Sequence, residues 1–529
     1  MSTSTAPNAL TKPWARSKDA LSQRADLVKN SLSNSFLWLL FLFCILVSIL
    51  SFGEQIIDPY IRHDDIDLAR ESYRSKFAAE GRAVIYAWSQ LSHWIPSHRT
   101  LIVLEVVLWA ASVSLFVTFL RQSLGSQSVV FALSFFLVAA PPVAELIQWP
   151  VTALPIFSVA TVNTVLSAYA LSRWRFAAIV CAALLSVLTF QPLWFLFCGQ
   201  VFGLLVADYI CRRKAESEQH SQIAIQGLQT LAIMVFAILI ALGLQIILLK
   251  ALLDITHLHL EGWRQPNTIG SSADLLENLS RSFSAISMQW QQIVTAARIT
   301  DGLLGTLVIA ALASAAFDPS QTKHIWSDHR MGWASVLLVV FATCFFSMTA
   351  VVLILGVDIP MRAQLVSWLS VGLFLGLSVA QSRSTTRYVL CSCALLILGF
   401  STAIGNSRTY QNLSEVSKQD DIVALTVRLD ALKSGVDFLA PDYPVYFLGT
   451  PHDSWDEGGS AFNYTRSYMD LMKIYFPKSL VIVCATRVQC ETSALRDFSL
   501  IDSPIYPARG YIQVNSEAAV IVMGAFQDQ

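Results

Sequence analysis

Eleven stretches of this chain are apolar over about the length of a bilayer crossing. They lie near 35–52, 101–120, 129–149, 151–171, 175–190, 192–210, 228–250, 301–316, 333–357, 363–381 and 387–404. A helix needs about 20 such residues to cross the hydrocarbon core, and helices satisfy their own backbone hydrogen bonds there. The pattern therefore predicts a mainly α, polytopic membrane protein of about 11 transmembrane helices. The run at 301–316 is short and is the weakest span of the set. Charged residues make up 14% of the chain and hydrophobic ones 54%, whereas soluble domains carry roughly 25% charged residues. The first run, Phe36 to Phe52, starts far from the N-terminus and lacks a small-residue cleavage site. It reads as a membrane helix rather than a cleaved signal. Trp149-Pro150 and Gln191-Pro192 mark sharp hairpins. A net charge of −1 gives no basis for nucleic acid as a partner.

Orientation follows from the Lys/Arg bias of short loops. The tail 1–34 holds Lys12, Arg16, Lys18, Arg24 and Lys29. If it is cytoplasmic, then Arg121, Arg173, Arg175, the Arg212-Arg213-Lys214 cluster, Lys323, Arg330, Arg383 and Arg387 also fall inside. An odd number of spans then puts loops 53–100 and 251–300 and the tail 405–529 outside. The longest cytoplasmic loop, about 211–227, has 17 residues, too few for a nucleotide-binding domain. In the tail a polar helical stretch (Glu415 to Leu432) precedes strand-like runs at 443–448, 480–483, 511–514 and 519–523. This predicts a small C-terminal α/β or α+β domain on the outer face. The tail carries ten Lys/Arg against fifteen Asp/Glu, a net of −5, which disfavours a polybasic lipid patch. Seven cysteines fall in or beside apolar runs. Cys484 and Cys490 alone lie in the tail, where a disulfide or two thiols are both open. Three Asn-x-Ser/Thr sequons (Asn278, Asn412, Asn463) map outside.

The loop after the first span carries the densest chemistry. Asp64 and Asp65 lie about twelve residues beyond that span, close to the membrane surface. Adjacent carboxylates repel, so one should hold its proton more tightly, as a general base near neutral pH requires. Either could equally cap a helix starting near Ile66. Apolar residues at 66, 69, 73, 77, 84 and 85 have partial helical periodicity, as in helices lying in the interface. Arg82 follows Gly81, whose freedom permits a turn that aims the guanidinium; phosphate binding and surface snorkelling are the alternatives.

The order Asp64-Asp65-Ile66, Arg70, then Gly81-Arg82, directly after the first span, resembles the bacterial membrane glucosyltransferases of O-antigen conversion. These belong to the C-type glycosyltransferase architecture (GT-C). Phe190-Gln191-Pro192 is similar to a Tyr-Gln element between two middle helices of that family, with Phe190 in the place of the Tyr, and Pro360-Met361-Arg362 is a weaker match at an outer helix end. Ala79-Glu80 stands where the family often has an aromatic before the glycine, and Ala83 where Pro is common. The resemblance covers the topology throughout and the motifs in patches. It implies a GT-C-like fold in the bacterial inner membrane. It also implies transfer of a sugar, a hexose such as glucose, from a polyprenyl-phosphate carrier to a glycan or lipid-linked acceptor of the lipopolysaccharide or cell envelope. Asp64 or Asp65 would be the catalytic base. Arg70, Arg82, Gln191 and Arg362 would bind donor or phosphate. The resemblance fixes no cofactor; a divalent cation stays open, since some enzymes of the architecture use one and others do not.

Topology reaches part of this separately. Without a cytosolic domain, an outward-facing sugar transferase must draw its donor from a lipid carrier. The leaving phosphate then poses the larger electrostatic problem, so Arg82 should matter as much as the base. In loop 251–300, Trp263 and Trp290 either stack on sugar or sit in the aromatic belt. His257-x-His259-x-Glu261 could converge on a metal from a strand but not from a helix. Intramembrane carboxylates call for a functional account; Glu105 and Glu145 fall near outer helix ends, Glu145 just after a break at Pro141-Pro142. Arg362 either pairs with Asp358 or contacts a lipid phosphate. Two other functions stay open. One is a flippase or transporter of lipid-linked sugars, disfavoured because inverted repeats and midplane charges are absent. The other is an O-antigen polymerase or ligase built on loop 251–300, with Arg264, Arg281 and Arg298.

Overall fold

The computed structural model describes residues 35–60, 77–78, 80–91, 97–172, 174–213, 220–256, 272–296, 360–381, 385–435, 442–451, 465–484 and 503–524, with isolated positions at 342, 349, 352, 353, 460, 462, 495 and 498. The tail 1–34, the run 301–316 and nearly all of 333–357 lie outside these residues. The chain divides into two compact units, one formed by 1–57 and 71–407, the other by 58–70 and 408–529.

The first unit is helical: α1 (Ser35–Ile57), α2 (Ala83–Leu91), α3 (His98–Leu124), α4 (Gln127–Val138), α5 (Pro141–Leu146), α6 (Pro150–Tyr169), α7 (Arg175–Thr189), α8 (Pro192–Arg213), α9 (His220–Thr256), α10 (Ser272–Ala296), α11 (Leu365–Gln381) and the start of α12 (Thr385–Lys433). Among the described residues, six segments are long and apolar enough to cross a membrane: α1, α3, α4 with α5, α6, and the apolar parts of α9 and α12. The shorter α7, α8 and α11 are apolar as well. These nine cover every expected span within the described residues.

Local chemistry sets the boundaries. Ser97 caps α3 by accepting the Thr100 N–H at 3.3 Å, and Gly125 ends it with φ +69°, the left-handed closure glycine allows. Proline opens α5, α6 and α8 at positions where its missing N–H costs nothing. The run 129–149 forms two helices. Pro141 and Pro142 lack the N–H groups that would continue the ladder of α4, and the chain restarts as α5. The last expected span, 387–404, and the polar helical stretch from Glu415 to Leu432 form one unbroken helix, α12, 49 residues long from Thr385 to Lys433. Between 405 and 433 the sequence offers no proline, and helix-forming Ala, Leu, Glu, Lys and Arg recur along it.

Long-range hydrogen bonds define two ends of the bundle. At one, Gln55 Nε2 donates to the Ile147 carbonyl, and Asn406 Nδ2 donates to Ser51 Oγ and the Ala139 carbonyl. At the other, Tyr388 meets Ser126 and Ser128. Arg121 lies 3.9 Å from the Phe36 ring centroid and Arg175 reaches Gln229 there. The interior is close-packed. Phe136 stacks on Trp368 at 4.4 Å, and a Cβ on Gly372 would meet that phenyl ring at 2.9 Å.

The second unit holds a four-stranded sheet of β1 (Pro444–Leu448), β2 (Leu480–Cys484), β3 (Ile512–Val514) and β4 (Ala519–Val522), in the order β2-β1-β4-β3. The first three strands of that order are parallel and β3 is antiparallel. A helix, α13 (Thr465–Tyr475), makes the crossover from β1 to β2, as parallel pairing requires. Strand alternation sends Val445, Phe447, Ala519 and Ile521 to one face. There they pack with Val423, Val427 and Ala431 of α12, Tyr468 and Met472 of α13, and Phe476 just past its end. Tyr446, Leu448, Val520 and Val522 face the other side with Leu495 and Phe498. The carboxyl ends of β1 and β4 touch backbone to backbone. A Cβ on Gly449 would lie 2.5 Å from the Gly524 carbonyl oxygen, and one on Gly524 would lie 1.9 Å from that of Thr450. Cys484 is disulfide-bonded; Cys490 lies outside the described residues.

Candidate functional site

Two arginines meet aromatic rings at the end of the bundle that holds Gln55 and Asn406. Arg362 sits in a single 3₁₀ turn, Met361–Ala363, just before α11. Its backbone N–H donates to Glu145 Oε2 at 2.7 Å, and its Nη1 donates to Glu145 Oε1 at 2.7 Å. Both carboxylate oxygens are therefore used by one residue, which fixes the turn as well as the charge. The guanidinium carbon lies 4.4 Å from the Trp149 ring centroid, within cation–π range. Side-chain exposure is 34% for Arg362 and 13% for Glu145, so the pair is shielded on one side and open on the other. Guanidinium carries five donors, more than Glu145 consumes. Asp358 lies outside the described residues, and the partner of Arg362 is Glu145. Glu145 lies in α5, the short helix that restarts after the break at Pro141-Pro142.

The second arginine stands at the start of α2. Gly81 has φ +70°, with its N–H bonded to the Ala78 carbonyl and the Arg82 N–H to the Phe77 carbonyl. This is a glycine-closed helix end. A Cβ at Gly81 would press on the Gln245 side chain at 3.0 Å. The turn points Arg82 at Phe190, 5.7 Å from guanidinium carbon to ring centroid, and its Nε pairs with Glu80 Oε2 at 3.1 Å. Phe190 precedes Gln191, a half-buried residue at the turn between α7 and α8. The Gly81-Arg82 and Phe190-Gln191-Pro192 elements, far apart in sequence, are therefore adjacent. Trp88 on α2 donates its indole N–H to the Val151 carbonyl at 2.8 Å. That ties α2 to the first turn of α6, two residues from the Trp149 that underlies Arg362.

Of the residues singled out by sequence, the structure thus pairs Glu145 with Arg362 and sets Arg82 against Phe190, beside Gln191. Asp64, Asp65, Arg70 and Trp263 lie outside the described residues, as do His257, His259 and Glu261. Glu105 is fully buried in α3. Among the described residues no three His, Cys, Asp or Glu side chains converge as metal ligands. The Asn278 sequon is buried, and its amide donates to the Leu353 carbonyl at 3.3 Å, which is incompatible with a glycan there. Sequence reading missed Glu80 and the two rings as arginine partners. The available signal was an aromatic immediately before each of the two turns, at Trp149 and Phe190. Comparison with known protein families, functionally characterised proteins and solved structures finds no match.

Proposed function

We propose that the chain is a membrane glycosyltransferase. It moves a hexose such as glucose from a polyprenyl-phosphate carrier to a glycan or lipid-linked acceptor on the outer face of the bacterial inner membrane. Asp64 or Asp65 takes the proton from the acceptor hydroxyl, the acceptor oxygen bonds to the sugar's anomeric carbon, and the bond to the carrier phosphate breaks. Arg82 and Arg362 offset the charge left on that phosphate. The observation that carries this reading is the presence of two half-exposed arginines at one end of an apolar bundle, each held in place by a carboxylate and a ring. Fixed donors aimed at a developing anion are worth most where water is scarce.

The sidedness has its own support. Arg121 and Arg175 lie at the opposite end, as a cytoplasmic face requires. The disulfide at Cys484 suits an oxidising compartment for the C-terminal unit. Arginine is the appropriate cation because its planar fork engages phosphate through two bonds at once.

The assignment of the base is tested with Asp64→Asn and Asp65→Asn made singly in membrane-inserted protein. One of them is expected to lose transfer by about 10²-fold or more. Wild-type rates in both would remove the base and the mechanism with it.

A further inference from the structure

A cavity of about 20 Å³ lies within the bundle between α3, α4, α8 and α11. Trp109, Phe116, Trp368 and Leu196 are among its apolar lining; Ser112 and Gln200 are its hydroxyl and amide members. Both are deeply buried, at 1% and 4% exposure. A volume of this size holds about one water molecule.

The donors and acceptors around it can be counted. Thr164 Oγ1 gives its proton to the Ala160 carbonyl at 3.0 Å. It then accepts Gln200 Nε2 at 2.8 Å and the Ser112 hydroxyl at 2.8 Å. The two indoles in the wall are committed: Trp109 Nε1 to the Val138 carbonyl at 3.2 Å and Trp368 Nε1 to the Phe136 carbonyl at 2.9 Å. Gln200 Oε1 is buried and has no hydrogen-bond partner among the described residues, and the Ser112 oxygen still has an acceptor lone pair. Ser112 Oγ and the Gln200 amide both bond the same Thr164 oxygen, so they are neighbours. An unpaired amide oxygen in an apolar interior forfeits the hydrogen bonds it would make in water, a strong incentive to find a donor. If the amide is turned over, its nitrogen instead needs an acceptor in the same place.

We propose that this cavity is a built site for one ordered water, which donates to Gln200 Oε1 and Ser112 Oγ. Water, both donor and acceptor and of the cavity's size, satisfies either orientation of the amide. Two polar partners meet the minimum for a retained internal water. The water completes a polar network joining α3, α6 and α8 across the bundle, in a place where an apolar ligand would leave the amide unpaired.

The direct test is an experimental structure of the full chain in lipid, at a resolution that shows ordered solvent. Density within hydrogen-bond reach of both Ser112 Oγ and the Gln200 amide is expected; a void there overturns the proposal. A second test uses heat. Val113 also lines the cavity, and Val113→Ile would displace the water. In the wild-type background its melting temperature should fall by a few degrees. In a Gln200→Leu background, where nothing needs the water, that loss should vanish or reverse. An equal effect in both backgrounds, or a rise in the wild-type background, overturns the site, because either means that Val113→Ile acts through packing alone.

Discussion

Arg362 illustrates how a single side chain is specified from several directions. Its backbone and guanidinium both bond Glu145, and Trp149 lies against its π face. Lysine in its place would keep the charge but lose the planar fork and the stacking. Under the proposed mechanism Arg362→Ala should lower kcat by about 10²-fold, and Arg362→Lys should recover only part of it. Equal activity of Arg362→Ala and wild type would remove this residue from phosphate stabilisation. Tyrosines in the C-terminal unit give a separate residue-scale prediction. Tyr475 donates to Asp421 at 2.9 Å, and burial, then that bond and the neighbouring charge, push its hydroxyl up to about 12. Tyr511, facing Asp430 at 3.1 Å, moves the same way. A raised tyrosine pKa means that the folded state keeps a proton the unfolded state has lost. The contribution is complete below about pH 10 and disappears as pH rises through about 12. Stability should thus fall across that interval, and Tyr475→Phe should flatten part of the decline in denaturant titrations taken at stepwise pH.

At the scale of elements, much was legible in the sequence. The strand-like runs at 443–448, 480–483, 511–514 and 519–523 lie where β1 to β4 are found, because β-branched and aromatic residues alternate between two buried faces. The helix break at Pro141-Pro142 was legible too, since proline removes a defined hydrogen bond. The length of α12 was not, because polarity at 405–433 signals solvent and not the end of a helix. Pairings across elements were the least legible. Glu145 and Arg362 are 217 positions apart, and no local pattern links them. The fit of β1 to β4 was likewise hidden. Gly524→Ala would drive a methyl group into the Thr450 carbonyl at 1.9 Å. It should destabilise the C-terminal unit by about 3 kcal/mol or more, read as a drop in its unfolding midpoint. A neutral result would mean that the ends of β1 and β4 are not locked together.

For the whole molecule, the apolar runs and their turns determine a helical membrane protein more firmly than any motif determines its chemistry. Composition and the apolar helices agree on a membrane protein. Under the proposed function, Arg121 and Arg175 at one end of the bundle face the cytoplasm, and Arg82 and Arg362 at the other face the donor. A lipid-linked donor is the central requirement of the proposed reaction. The most direct measurement reconstitutes the purified chain in liposomes with polyprenyl-phosphate glucose labelled in the sugar, plus lipid-linked glycans extracted from the host membrane. The account predicts that label moves to the glycan while polyprenyl phosphate is released, and that a nucleotide sugar offered alone gives no transfer. A chain that leaves the lipid donor intact, or uses the nucleotide sugar equally well, would contradict it.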